Sequence, residues 1–348
     1  LGTLASARMS EVAIHYKAND VIAGLRVLSV LGQGAASTIY LAQDQKTKQI
    51  WAVKHVHRQT EKDERFLEQA ASEYEIARNF DHPNIRRFER LEKTRAKLFT
   101  VLTDVLLVME FVDGVSLEKY RPKTYVEALE IFEQVALAMG HMHEKGYIHA
   151  DMKPNNIMVC PGSVAKVIDL GQSCKNGTIK PRIQGTPDYI APEQVFRKPI
   201  TPSTDVYNLG ATMYWVFTKT NIPTAMNQGE NSLVDRIDPS LMPRPTPAIA
   251  LDSKLHPKLN ELIMQCVEVD PNDRPDSMRF IVDRLNLIRG MLKAQAMQKP
   301  ATSKSAQDTR LGNDPGASSG GSRSGTGIAR LDPLSSGSTA LGVRVDPR

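Results

Sequence analysis

Tyr147-Ile148-His149-Ala150-Asp151-Met152-Lys153-Pro154-Asn155-Asn156-Ile157 gathers a carboxylate, an ammonium and two amides into six residues between apolar flanks. A few residues on, Val167-Ile168-Asp169-Leu170-Gly171 presents a single carboxylate at the end of an apolar run. Short strands are expected near Ile157 to Val159 and Ala165 to Ile168, so the polar residues fall on the loop they flank. Upstream, Tyr125 to Lys145 repeats apolar residues at helical spacing (Ala128, Leu129, Phe132, Val135, Ala136, Met139, Met142). The loop therefore follows a long buried helix.

Toward the amino terminus the pattern turns to β. Leu25 to Leu31, Thr38 to Ala42 and Gln49 to Val56 read as strands, divided by Gly32-Gln33-Gly34 and by the polar turn Asp44 to Lys48. Arg65 to Phe80 reads as an amphipathic helix that stops at the breaker Asp81-His82-Pro83-Asn84. Strands around Ile85 to Leu91 and Val105 to Phe111 complete a small antiparallel sheet with one helix. Beyond Gly114 helices dominate, at Thr204 to Thr218, Pro257 to Val267 and Ser277 to Leu292. The expected fold class is α+β and bilobal. The expected division is an arm at 1–20, a folded unit at 21–292 (small lobe about 21–112, large lobe about 113–292) and a Ser/Gly-rich tail at 293–348 that cannot offset the entropy of ordering.

Composition narrows the classes. The net charge of +5 in 348 residues could point to nucleic acid, but from Arg289 onward nine Lys/Arg stand against four Asp/Glu. The excess lies in the tail and the remainder is balanced, with no basic face interleaved with aromatics, so nucleic acid is not an expected partner. Cys160, Cys174 and Cys266 make no CxxC pair or metal-ligand spacing. No apolar run approaches the roughly 20 residues that span a bilayer, and no signal-peptide order opens the chain. A reducing cytoplasm is the expected compartment.

In the same order along the chain come Leu31-Gly32-Gln33-Gly34-Ala35-Ala36-Ser37-Thr38-Ile39, then Trp51-Ala52-Val53-Lys54, then the two stretches quoted first. Gly185-Thr186-Pro187-Asp188-Tyr189-Ile190-Ala191-Pro192-Glu193 and Asp270-Pro271-Asn272-Asp273-Arg274-Pro275 follow. A dinucleotide-binding glycine fingerprint would need a helix after the glycines, whereas a strand follows here. This ordered set resembles the protein kinase family over about residues 25 to 290, and its style is most similar to bacterial serine/threonine kinases.

The resemblance implies the two-lobed kinase fold, ATP and Mg2+ as cofactors, and transfer of the γ-phosphate of ATP to Ser/Thr hydroxyls of protein substrates. It implies that Lys54 holds the α- and β-phosphates and is held by a helix glutamate, Glu73 by spacing, with Glu75 the competitor. Asp151 would orient the hydroxyl and take its proton, and Lys153 would neutralise γ-phosphate charge. Asn156 and Asp169 would hold magnesium, a hard ion that takes oxygen ligands. Leu31, Gly32, Gln33, Gly34 and Ser37 would form the phosphate-covering loop. Ile39 and Ala52 would roof the adenine and Met158 floor it, with Met109 at the back and the backbone of Glu110-Phe111-Val112 at the edge. These apolar side chains are equally explained as core. Thr186 would support Asp151 and Lys153, Glu193 and Arg274 would pair in the large lobe, and Asp205 and Gly210 extend the match.

Four departures from the family pattern stand out. Ser37 replaces the third glycine, Leu170 a phenylalanine, Ala77 a larger aliphatic residue, and Ala150 the arginine before the catalytic aspartate. In regulated kinases that arginine grips an activation-segment phosphate, helped by two basic positions that are Gln69 and Cys174 here; the usual phosphate position is Arg182. Activity independent of activation-segment phosphorylation is thus expected, with Ser173 and Thr178 the candidate displaced sites. The tail hydroxyls are candidate autophosphorylation sites. The intact Lys54, Asp151 and Asp169 argue against an ATP-binding scaffold without catalysis. The Gly185 to Glu193 segment argues against a small-molecule kinase, and Lys153 against tyrosine specificity.

Overall fold

The computed structural model describes residues 16–34, 36–95, 101–223 and 243–298. Most of the expected arm and tail lie outside the described residues. The small lobe is a six-stranded antiparallel sheet of β1 (Val21–Ile22), β2 (Leu25–Gln33), β3 (Ser37–Gln43), β4 (Ile50–His57), β5 (Phe88–Arg95) and β6 (Leu102–Glu110), in the order β1-β2-β3-β4-β6-β5. One helix, α1 (Glu64–Ala77), packs on it. Because side chains alternate across a strand, β4 sends Ala52 and Val56 into the main core and Trp51 and Val53 into a second cluster with Tyr40 and Val108 on the opposite face. Both faces are covered, which is why β4 is nearly all buried.

Two of the boundaries that differ from the sequence reading, the end of α1 and the start of β5, do so for visible reasons. Helix α1 stops at Ala77 rather than Phe80 because the Asn79 side-chain amide donates to the carbonyls of Glu75 and Ile76, at 2.7 and 3.0 Å, and closes the last turn. Strand β5 begins at Phe88 rather than Ile85 because the preceding residues pair elsewhere. Arg86 N donates to the Val167 carbonyl, and Val167 N to that of Asn84, both at 2.8 Å. That stretch joins the lobes instead of extending the sheet.

The large lobe contains β7 (Val115–Ser116), α2 (Tyr125–Glu144), β8 (Tyr147–Ile148), β9 (Ile157–Cys160), β10 (Val164–Val167), β11 (Cys174–Lys175), α3 (Pro192–Val195), α4 (Pro202–Thr218), α5 (Ala248–Leu251), α6 (Pro257–Cys266) and α7 (Met278–Gln298). Helix α2 is central, its apolar face buried as its spacing predicts and α7 packed against it. Gly210 on α4 faces α6 so closely that a Cβ there would lie 2.5 Å from Cys266 Cβ. Helix α7 continues to Gln298, past the sequence boundary at 292. Its extension, Lys293 to Gln298, is exposed but made of good helix formers, and Lys293 anchors its start through Glu130 at 3.1 Å. No helix among the described residues is long and apolar enough to cross a membrane.

Glu193 and Arg274 are each 5% exposed and joined by two bonds, of 2.8 and 3.0 Å. The guanidinium also donates to the carbonyls of Glu268, Ser203 and Val269, which uses all five of its N–H groups. Removing one partner of such a pair leaves an uncompensated buried charge. Arg274→Met should therefore lose about 3–5 kcal/mol of stability in urea unfolding, and adding Glu193→Leu should recover most of it. An equal loss in the double variant would show that the bonds, not the stranded charge, carry the effect.

Candidate active site

The loop between β8 and β9 is shaped from below. Asp205, in the first turn of α4, is fully buried and its carboxylate accepts from Ala150 N at 2.8 Å, His149 N at 2.9 Å and His143 Nε2 at 2.8 Å. This grip holds Ala150 at φ 60°, a left-handed conformation that costs a residue with a Cβ about 1–2 kcal/mol. The bend presents Asp151 to the cleft. Asp151 Oδ1 accepts from Thr186 Oγ1 at 2.9 Å, Lys153 Nζ lies 2.9 Å from Asp151 Oδ2, and the same ammonium donates to Thr186 Oγ1 at 2.7 Å. Thr186 can accept from Lys153 only by turning its own proton to Asp151, so the triangle has one consistent hydrogen-bond arrangement.

Asn156 Nδ2 donates to the Asp151 carbonyl at 2.8 Å, which leaves the Asn156 carbonyl oxygen as the uncommitted end of the amide. Asp169, just after β10, accepts from Gly171 N through Oδ1 at 2.9 Å. Burial alone would raise the Asp169 pKa, but the ammonium of Lys54, the Gly171 N–H and Lys153 outweigh it and hold the carboxyl below its ordinary value. Across the cleft Lys54 Nζ meets Glu73 Oε2 at 2.7 Å. Burial disfavours the lysine charge, yet Glu73 and Asp169 together raise its pKa above the ordinary value. Glu73 is buried, whereas Glu75 is exposed and pairs with Arg78 at 3.4 Å. Of the two glutamates, Glu73, the one chosen by spacing, is the one that reaches Lys54.

In the β2–β3 hairpin Gly32 pairs with Ile39 and Gln33 with Thr38, and Gly34 N donates to the Ser37 carbonyl at 2.7 Å. A Cβ on Gly34 would stand 3.2 Å from Ser37 Oγ, so the serine in place of glycine packs the turn tightly. Ala52 and Met109, directly paired, lie in the main core with Leu31 and Ile39 packed against it, Val112 is buried, and Met158 is half-buried on β9. Glu110 turns its side chain backward, to Lys166 at 2.6 Å and Arg87 N at 3.0 Å. Leu170 and Ala77 are both buried in the main core.

A family model for the protein kinase domain matches residues 25–284. The chain belongs to the protein kinase family. Over 290 residues it is 25% identical to serine/threonine-protein kinase PknD of Chlamydia pneumoniae, covering 72% of this chain and 30% of the relative. It is 30% identical over 201 residues to serine/threonine-protein kinase PrkC of Bacillus subtilis, covering 56% and 30%. It is 33% identical over 199 residues to sperm motility kinase 3A of Mus musculus, covering 55% and 37%. The chain spans about a third of the length of these curated relatives.

The sequence reading of this kinase domain missed three residues. Arg86 lies behind Met109, with Nη1 3.5 Å from the methionine sulfur and Nε buried without a hydrogen-bond partner; burial lowers its pKa while Glu73 and Asp169 support its charge. Read as the second residue of a strand, Arg86 gave no sign of approaching Glu73 and Asp169. Lys180 of the activation segment donates to the Gln172 carbonyl, and burial lowers its pKa. His149 accepts from Asp151 N at 3.2 Å, and burial keeps its imidazole neutral-leaning by lowering its pKa against the pull of Asp205.

For Asp205, burial works against ionisation, but hydrogen bonds from His143 and from the His149 backbone bring the pKa below the ordinary carboxylate value. A depressed folded pKa contributes stability above the unfolded pKa, and the contribution disappears as pH falls through the folded one. Asp205→Asn should lose about 1–3 kcal/mol at neutral pH, since an amide cannot accept from three donors. The gap to wild type should narrow as the pH is taken below about 4. Urea unfolding of both proteins at neutral and acid pH measures it; a gap that stays constant with pH would contradict the ionic role.

Proposed function

We propose that this chain is a serine/threonine protein kinase that transfers the γ-phosphate of ATP to Ser/Thr hydroxyls of proteins. The observation that carries the reading is the Asp151–Thr186–Lys153 triangle, set across the cleft from the Lys54–Glu73 pair with Asp169 between them in charge. Transfer of a phosphoryl group asks mainly for alignment and charge stabilisation, and these groups supply both. The names of the bacterial relatives, serine/threonine-protein kinases, support the same class.

Lys54, held straight by Glu73, would bind the α- and β-phosphates. Asp151 would align the incoming hydroxyl and accept its proton, with Thr186 bonded to one carboxylate oxygen and Lys153 beside the other. Lys153 would offset charge gathering on the transferred group. The residues fit magnesium: Asp169 is held ionised, and Asn156 has committed its NH2 and kept its carbonyl oxygen. Bound there, magnesium would neutralise phosphate charge. The β2–β3 hairpin would close over the phosphates, and Ile39, Ala52, Met109 and Met158 would enclose the adenine, with the backbone of Glu110 to Val112 at its edge because the Glu110 side chain is occupied elsewhere. The catalytic unit is proposed to run from 21 to 292, with lobes meeting near 112. The tail beyond it is proposed to carry autophosphorylation sites, and the compartment to be cytoplasmic, in keeping with three free thiols.

Activation without a segment phosphate is part of this proposal. Under the loop, where the family places a phosphate-gripping arginine, Ala150 packs with Ile148, Ile200 and Cys174 in an apolar cluster. The segment is tied instead by other bonds. Gln69 Nε2 donates to the Gly171 carbonyl at 3.0 Å, β11 pairs with β8, and Thr178 bridges Ile200. These contacts supply the order that a phosphate–arginine fork would otherwise bring.

Asp151→Asn should bind ATP and lose more than tenfold in turnover, above about 1.4 kcal/mol of barrier. A radiolabelled phosphotransfer assay against nucleotide affinity measures this, and retention of a tenth or more of the wild-type rate would remove the assigned role. The double variant Ser173→Ala, Thr178→Ala should stay within about threefold of wild type, under about 1 kcal/mol. Inactivation of that variant, or of the wild type by phosphatase, would mean the segment is switched after all.

A further inference from the structure

On the face of the small-lobe sheet turned away from the cleft, three side chains with metal-binding chemistry converge. Strand alternation that sends Lys54 and Val56 to the cleft and core sends His55 and His57 to the opposite face. His57 stands directly across from Asp104 on β6, and His55 is two residues along the same face of β4. His55 Nε2 lies 2.8 Å and His57 Nδ1 2.7 Å from one oxygen, Asp104 Oδ1, and the three ligand atoms all fall within 4.8 Å of one another. None of the three takes part in the phosphotransfer site.

We propose that His55 Nε2, His57 Nδ1 and the Asp104 carboxylate form a binding site for a divalent transition-metal ion, zinc first, on the outer face of the small lobe. Two imidazoles and a carboxylate are a donor set that zinc takes readily, whereas magnesium and calcium prefer oxygen alone. The scaffold is rigid, since the ladder that pairs β4 with β6 fixes all three Cα positions and little chain entropy is left to lose. Zinc bonds of about 2.0–2.2 Å in a tetrahedral site set neighbouring ligand atoms about 3.3 Å apart. The two contacts to Asp104 need to open by about half an ångström to admit the ion.

The surroundings favour an ion with one open position. The His55 side chain is 3% exposed, while those of His57 and Asp104 keep 20% and 16%. One side of the cluster is therefore sealed and the other reaches solvent, a path for entry and a place for a water ligand. The seal comes from Tyr16, whose ring stands edge-on to His55 at 5.5 Å and to Tyr40 at 5.7 Å. An apolar wall of this kind strengthens the bond between ion and ligand by keeping water off it. Zinc here would clamp β4 to β6, the strands that carry Lys54 and Met109.

The test uses the full chain, stripped with a chelator and titrated with Zn2+ by calorimetry, then with Co2+ by visible absorption. Asp169→Ala serves as the background so that the cleft cannot contribute. One equivalent of zinc, a tetrahedral cobalt spectrum and a higher melting temperature with zinc are expected. His57→Ala should weaken binding by about 100-fold or more, since even loss of an outer-shell partner costs about 10–100-fold. Asp104→Asn keeps an oxygen acceptor for both imidazoles, so it should melt like its parent in chelator yet lose zinc affinity. Zinc binding unchanged in both variants, or no binding at micromolar zinc by a chain that melts cooperatively, would reduce the cluster to a hydrogen-bonded triad and overturn the proposal.

Discussion

The buried carboxylate of Asp205 is the constraint on which the site depends. Three donors from two segments converge on it, and two of them are consecutive backbone amides of the catalytic loop. A buried charge of this kind is tolerated only when its hydrogen bonds are satisfied. Once they are, the loop has little freedom left. Ala150 is driven into a left-handed turn, Asp151 emerges toward the cleft, and its neighbours Lys153 and Asn156 are aimed by the same bend. A helix deep in the large lobe thus sets the direction of side chains that would meet substrate.

The second fixed point spans the lobes. Lys54 comes from the small-lobe sheet, Glu73 from the helix packed on it, and Asp169 from the large lobe. The Lys54 ammonium supports both carboxylates, which oppose each other: burial and Asp169 push the Glu73 pKa up against the pull of Lys54. Arg86 adds a cation behind Met109, fed in by a stretch that pairs with Val167 instead of the small-lobe sheet. That cross-lobe pairing explains why a residue of the small lobe can sense both Glu73 and Asp169.

Much of this was legible in the sequence, because the relevant residues occur in short motifs whose local spacing is fixed by a loop or a strand. Asp151, Lys153 and Asn156 lie within one loop, and their convergence needs only that loop's bend. The small-lobe strands announced themselves through β-rich runs cut by glycine and polar turns. What escaped was set by partners far along the chain. The late start of β5 depends on Val167, and the early end of α1 on a side-chain cap.

His55, His57 and Asp104 show the same limit. The alternation of β4 places the two histidines on one face, a fact any strand of that spacing would share, but nothing local says that Asp104 is the residue opposite. Sequence alone determined the family and the order of the lobes, because these follow from periodicity and from motifs a few residues long. The tertiary structure alone decided which charges are buried together, which turns are strained and which distant side chains meet. Those outcomes depend on strand register and packing between segments as far as 163 residues apart, as for Glu130 and Lys293, and no local pattern encodes that distance.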